Sequence, residues 1–189
     1  IDLGDDTAIT VKQSDQYENG NNTLLTSAGV SSEQASGNEE NPVNLSGYNV
    51  TIDSNGLGIT ARGVVNVKGG STSTVTTTRG PGIYVNNGQF NVEKDATISV
   101  ESMVQSGYSW ATPPESETTN APNIYNGVYV QGGSIASEGT LNVTHTGEAS
   151  DGNAAKHYSS YAVSVEGGNV TLGSGAIAGN SAGGIYVSD

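Results

Sequence analysis

Residues 82–92 read Gly82-Ile83-Tyr84-Val85-Asn86-Asn87-Gly88-Gln89-Phe90-Asn91-Val92, and this stretch carries the reading of the whole chain. Each half alternates apolar and polar-compatible positions, the two-residue period of a β-strand. Between them Asn87-Gly88 supplies the residue types that adopt positive φ at little cost. Both halves recur. Gly82-Ile83-Tyr84-Val85 returns as Gly127-Val128-Tyr129-Val130 and as Gly184-Ile185-Tyr186-Val187, with Ala162-Val163-Ser164-Val165 as a weaker copy. Gly132-Gly133 and Gly167-Gly168 stand where Asn87-Gly88 stands. Phe90-Asn91-Val92 is answered by Ser134-Ile135-Ala136 and Val170-Thr171-Leu172. A third alternating piece then closes each unit: Thr97-Ile98-Ser99-Val100, Thr140-Leu141-Asn142-Val143, Ala176-Ile177-Ala178. A shift of 25 residues also lays Arg62–Lys68 on Asn87–Glu93 and Val75 on Val100.

Three short strands per unit of about 22–25 residues, with essentially no helical stripe, predict an all-β solenoid. The expected form is a right-handed parallel β-helix in which each unit is one coil. Equivalent strands then stack about 4.8 Å apart. Only alternate residues point inward, so a thin core forms from few apolar residues. Ile83, Val85, Val128, Val130, Val163, Val165, Ile185 and Val187 are expected inside, and Tyr84 outside. The main competing fold, an antiparallel sandwich, does not account for the recurring three-strand order.

Composition fits this reading. The 189 residues include 27 glycines and no cysteine, with only 13% charged residues. Disulfide scaffolds, thiolate metal sites and cysteine nucleophiles are excluded. Six basic against 19 acidic residues give a net charge of −13, which makes nucleic acid a poor partner. No apolar run approaches the length of a membrane-spanning helix, so no membrane insertion is expected.

The spacing from Gly88 to Gly133 is 45 residues and from Gly133 to Gly168 is 35, so the unit is interrupted twice. The insertions fall near 102–126 and 145–160, both between the third strand of one unit and the first of the next. In a solenoid, insertions at one point of the repeat emerge on one face, often the binding face. The first holds Tyr108, Trp110, Glu115, Glu117 and Tyr125; the second holds Tyr158 and both histidines, His145 and His157. Tyr84, Tyr129 and Tyr186 are expected in a row on the neighbouring sheet, with Ser164 replacing one ring. Aromatic planes suit the apolar C–H face of a sugar. The candidate ligand-binding residues are therefore Trp110, Tyr108, Tyr84, Tyr129, Tyr125, Tyr158 and Tyr186. Outward tyrosines also favour strands and stack on one another with no ligand.

Residues 1–55 are read as the first coil or two, or a cap, around a long polar insertion, and 56–189 as coils of one continuous domain. Gly184-Ile185-Tyr186-Val187 opens a unit the sequence does not finish, so the stretch is expected to belong to a longer protein.

The Gly-Ile-Tyr-Val strand, the Asn-Gly or Gly-Gly turn and the Thr-Ile-Ser-Val strand resemble the pectin-lyase-like β-helix family over roughly residues 56–189. The low-charge, cysteine-free style within that family resembles bacterial surface adhesins, including autotransporter passenger domains and epithelium- or mucus-binding adhesins. The resemblance implies an extracellular, cell-surface domain that binds host or environmental glycans without catalysis or cofactor. A polysaccharide lyase or glycoside hydrolase on the same scaffold, and a structural stalk, are the alternatives. No rung repeats an aspartate at one position, and Glu115 and Glu117 fall in a loop, so no catalytic residue is assigned. No metal site is assigned either: His145 and His157 read as solvated loop residues, and Asp2, Asp5 and Asp6 as a solvated acidic terminus with no calcium-loop spacing. Thr72, Thr74, Thr76 and Thr78 alternate like an ice-binding grid, but the next unit matches them only at Thr97, which argues against that function. The negative charge implies repulsion of acidic mucins that weakens below about pH 4–5.

Overall fold

The computed structural model describes residues 1–12, 28–33, 41–78, 80–103, 126–147, 161–180 and 183–188. The expected insertion residues Tyr108, Trp110, Glu115, Glu117, Tyr125, His157 and Tyr158 lie outside them. The described residues contain fifteen β-strands and no helix, and all the strand pairing among them is parallel.

The strands sort into three ladders of six rungs. The first ladder joins β1 (Asp2–Leu3), β4 (Val43–Leu45), β7 (Val64–Val67), the second half of β9 (Ile83–Val92), the middle of β11 (Val128–Thr146), and β13 (Asn169–Ser174). The second joins β2 (Ala8–Val11), β5 (Val50–Ser54), β8 (Thr72–Thr77), β10 (Thr97–Met103), the end of β11, and β14 (Ile177–Asn180). The third joins β3 (Ala28–Ser32), β6 (Leu57–Ala61), the start of β9, the start of β11, β12 (Tyr161–Val165) and β15 (Gly183–Val187). β9 and β11 run through the corner between the third and first ladders, so pieces expected as separate short strands are continuous. Residues 1–12 and 28–33 form the first rung, in register with the second.

Alternation along each strand builds the core. The inward residues stand in columns that run across the rungs, such as Ile59, Ile83, Val128, Val163 and Ile185 in the third ladder. Phe90, Leu45, Ile52, Ile98 and Ile135 fill the same apolar cluster from the other two ladders. The interior is too narrow for a side chain at the start of the third-ladder strands. A Cβ on Gly58 would lie 2.4 Å from Val75 Cγ1, and one on Gly82 would lie 2.2 Å from Val100 Cγ1. At the corner, Asn87, Gly133 and Gly168 adopt φ of 59°, 86° and 91°, as their sequence positions imply. A Cβ on Gly133 would come within 2.0 Å of the Gly88 carbonyl oxygen, so the corners stack backbone on backbone.

Two expectations are corrected in the last rung. Ile185 and Val187 occupy the inward columns, yet they are 55% and 67% exposed. Their columns continue on one side only: β15 pairs with β12 and with no other described strand. Strand limits are corrected as well. β10 extends to Met103 and β11 to Thr146, so Ser102 and His145 belong to strands and not to the insertions.

Candidate functional site

The outer face of the third ladder carries one column that reads Ser31, Thr60, Tyr84, Tyr129, Ser164, Tyr186 across the six rungs. Adjacent parallel strands lie about 4.8 Å apart, which is close to the separation of stacked rings. The Tyr84 and Tyr129 rings accordingly stack, with centroids 5.5 Å apart and planes 5° from parallel. The rung that has Ser164 in place of tyrosine still contributes a ring. Tyr161 of the same strand stacks on Tyr186 at 4.9 Å and 21°.

The phenol groups repeat a hydrogen-bond pattern. Tyr84 donates to Gln131 Oε1 at 2.6 Å, and Tyr129 donates to Glu166 Oε2 at 2.7 Å. Each acceptor stands two residues beyond the column position of the next rung, in Tyr129-Val130-Gln131 and Ser164-Val165-Glu166. Burial raises the Tyr84 hydroxyl above its ordinary range, partly offset by the positive charge of Arg62. Burial also raises the Tyr129 hydroxyl, and the hydrogen bond and negative charge of Glu166 push it further.

The expected exposed tyrosine row is corrected here. Tyr84 and Tyr129 face away from the main core, as their alternation implies, but they are only 2% and 3% exposed. They form a second apolar cluster with Leu57, against which Ala28 packs. Tyr186 alone of the three named tyrosines is open, at 38%. Sequence reasoning missed Tyr161, Gln131 and Glu166. The signal for Tyr161 was its place beside the one copy of the Gly-Ile-Tyr-Val strand that lacks a tyrosine, Ala162-Val163-Ser164-Val165. For Gln131 and Glu166 it was their shared offset from the column.

The remaining outer faces are polar. In the first ladder Asn44 Nδ2 donates to Asp2 Oδ1 at 2.7 Å, Asn66 Nδ2 to Asn44 Oδ1 at 3.0 Å, and Asn91 Nδ2 to Asn66 Oδ1 at 2.9 Å. Asp5 and Asp6 accept from the Tyr48 amide and from Asn49 Nδ2 of the second rung. In the second ladder Thr74 lies beside Thr51 and Ser99, with Asn142 beyond, while Thr72, Thr97 and Thr140 form a parallel column. The hydroxyl grid is thus wider than the Thr97-only match suggested, and Asp53 and Glu101 interrupt it beside Thr76.

His145 is a further correction. It is not a solvated loop residue but an inward one, 1% exposed, with Nδ1 2.7 Å from Ser102 Oγ. The reason lies in the column Ser54, Thr77, Ser102, His145, in which a polar residue turns inward near the end of four successive second-ladder strands.

The chain matches no family model, no curated protein and no solved structure.

Proposed function

We propose that the six rungs are successive coils of a right-handed parallel β-helix whose three faces are the ladders, and that this domain is a non-catalytic bacterial surface adhesin that binds glycans. The observation that carries the reading is the aromatic array of the third ladder. Tyr84 and Tyr129 form its buried, hydrogen-bonded base, and the Tyr161–Tyr186 pair forms its open end. A stacked pair held on parallel strands presents a rigid aromatic edge and face, at small entropic cost to a sugar ring that packs on it. The resemblance to pectin-lyase-like adhesins, carried by the Gly-Ile-Tyr-Val units, supports an extracellular location and a mucin or epithelial partner.

A glycan array of this domain tests the proposal. Binding should fall at least about tenfold when Tyr161 and Tyr186 are both replaced by alanine, as for the loss of one aromatic platform. Unchanged attachment would favour a structural stalk.

One observation favours the rival carbohydrate-active enzyme. Asp53 and Glu101 share an outward column with Thr76 between them, two rungs or about 9–10 Å apart. That is the upper edge of the carboxylate separation used by inverting glycosidases. Both residues are exposed on the outer face of their strands. Release of reducing ends from any pectin or mucin glycan, abolished by Asp53→Asn, would replace the adhesin reading.

A further inference from the structure

The outer face of the third ladder leaves polar groups unanswered where its aromatic array opens. Thr60 Oγ1, Asn126 Nδ2 and Ser164 Oγ are buried there, and among the described residues none has a hydrogen-bond partner. A buried polar group without a partner is costly, and native structures rarely keep one without a reason. Thr60 lies beside Tyr84, away from the open end; Asn126 and Ser164 lie at it.

Each of the two has a defined place beside the rings. Ser164 stands between Tyr129 and Tyr186 in register, a hydroxyl where both neighbours carry a phenol. Asn126 precedes Tyr129 by three residues, as Tyr161 precedes Ser164. Its Oδ1 accepts from the Tyr161 amide at 3.0 Å, and Nδ2 is the half left over. Two residues beyond Ser164, about 7 Å along the strand, stands the exposed Glu166. Its Oε2 takes the Tyr129 hydroxyl, and among the described residues Oε1 takes no donor. The Tyr161 and Tyr186 rings meet above the segment that leads to Ser164, so a change of χ1 at Tyr161 opens the approach to the hydroxyl while Tyr186 stays in place.

We propose, on the glycan-binding reading above, that Asn126 Nδ2, Ser164 Oγ and Glu166 Oε1 are the specificity-determining contacts of the site, and that they select a neutral pyranose over an acidic one. A pyranose carries an apolar C–H face and a rim of hydroxyls, each both donor and acceptor. With that face on Tyr186, one rim oxygen accepts from Asn126, a second pairs with Ser164, and a third hydroxyl donates to Glu166. Both buried groups are then completed by the same ligand. A ring that lacks these hydroxyls leaves them unpaired, which is the strongest form of rejection a polar site has. A sialic acid or uronate sets its carboxylate against Glu166, and like charges at an interface exclude the wrong partner.

A glycan array printed with matched oligosaccharides in neutral, sialylated and uronate-terminated forms tests this. The wild type should bind the neutral forms at least about tenfold more tightly than the acidic ones. Ser164→Ala should weaken neutral binding by about two- to tenfold. Its unfolding midpoint should stay the same or rise, because the variant removes an unpaired hydroxyl and no contact. Glu166→Gln should shrink the preference for neutral forms to within about threefold. Glu138→Gln, at an exposed carboxylate of β11 outside the array, removes the same charge and should leave the preference as it was. In an NMR titration with the neutral oligosaccharide that binds best on the array, the Asn126 side-chain amide resonances should move. A wild type that binds no glycan overturns this proposal together with the adhesin reading. Retained affinity in Ser164→Ala, an unchanged preference in Glu166→Gln, or a wild type that prefers acidic glycans overturns this proposal alone. Should Ser164→Ala not fold, Glu166→Gln decides.

Discussion

Ile83 and Ile185 are the same residue in the same column, three rungs apart, and they have opposite environments. Ile83 is fully buried between Ile59 and Val128, while Ile185 has Val163 on one side and is 55% exposed. The residue pattern therefore sets the direction of a side chain, and the neighbouring rungs set its burial. In a molecule built from stacked units, an identical motif contributes fully only when it has a rung on each side. The largest expected effect follows from this contrast. Ile83→Ala should destabilise the domain by about 2–5 kcal/mol, the usual range for emptying a buried aliphatic site. Ile185→Ala should stay within about 0.5 kcal/mol, as an exposed substitution does. Chemical denaturation of the two variants measures both, and equal losses would mean that Ile185 is covered in solution.

The glycines that open the third-ladder strands sharpen the same contrast. Gly82 faces Val100 Cγ1, which an added Cβ would approach to 2.2 Å; Gly184 has nothing within 4 Å of that position. Gly82→Ala should cost about 1–3 kcal/mol through overpacking. Gly184→Ala should be neutral, or stabilise by about 0.4–1 kcal/mol through the lower entropy of the unfolded chain. A neutral Gly82→Ala would show that the second and third ladders can move apart at that rung.

How far these features could be read from the chain depends on which partner decides them. The Gly-Ile-Tyr-Val copies and their glycine turns were legible because both features repeat at fixed positions, and the parallel register of Ile83, Val128, Val163 and Ile185 follows from them. The burial of Tyr84 and Tyr129 was not legible. Leu57 and Ala28, which join their cluster, come from earlier rungs that carry no tyrosine motif. His145 was missed for a different reason. Thr144-His145-Thr146 continues the alternation of β11 with polar residues on both faces, and a polar inward residue looks the same in sequence as a polar outward one. The hydroxyl column that leads to it, from Ser54 through Ser102, becomes visible only in register. Trp110, Tyr108, Tyr125 and Tyr158 lie outside the described residues, so their part in binding rests on the proposal above.

The smallest effect separates the two ends of the tyrosine array. Tyr129 is buried and donates to Glu166, whereas Tyr186 is partly open and takes part in ring stacking. Tyr129→Phe removes one hydrogen bond to a carboxylate that water can resolvate, and should cost about 1 kcal/mol; Tyr186→Phe should cost nothing measurable. The two differ in alkali as well. Burial and Glu166 raise the Tyr129 hydroxyl in the folded state, so its contribution is complete below pH 10, where the unfolded phenol is still protonated. Above pH 10 the unfolded chain releases that proton and the folded one retains it, and stability falls as pH rises. Unfolding curves between pH 9 and 11 should therefore be steeper in pH for the wild type and Tyr186→Phe than for Tyr129→Phe. Part of the slope should survive in Tyr129→Phe, because burial raises Tyr84 as well. Identical slopes in all three proteins would mean that the Tyr129 ring is open to solvent, and the buried base of the array would then be available to a ligand along its whole length.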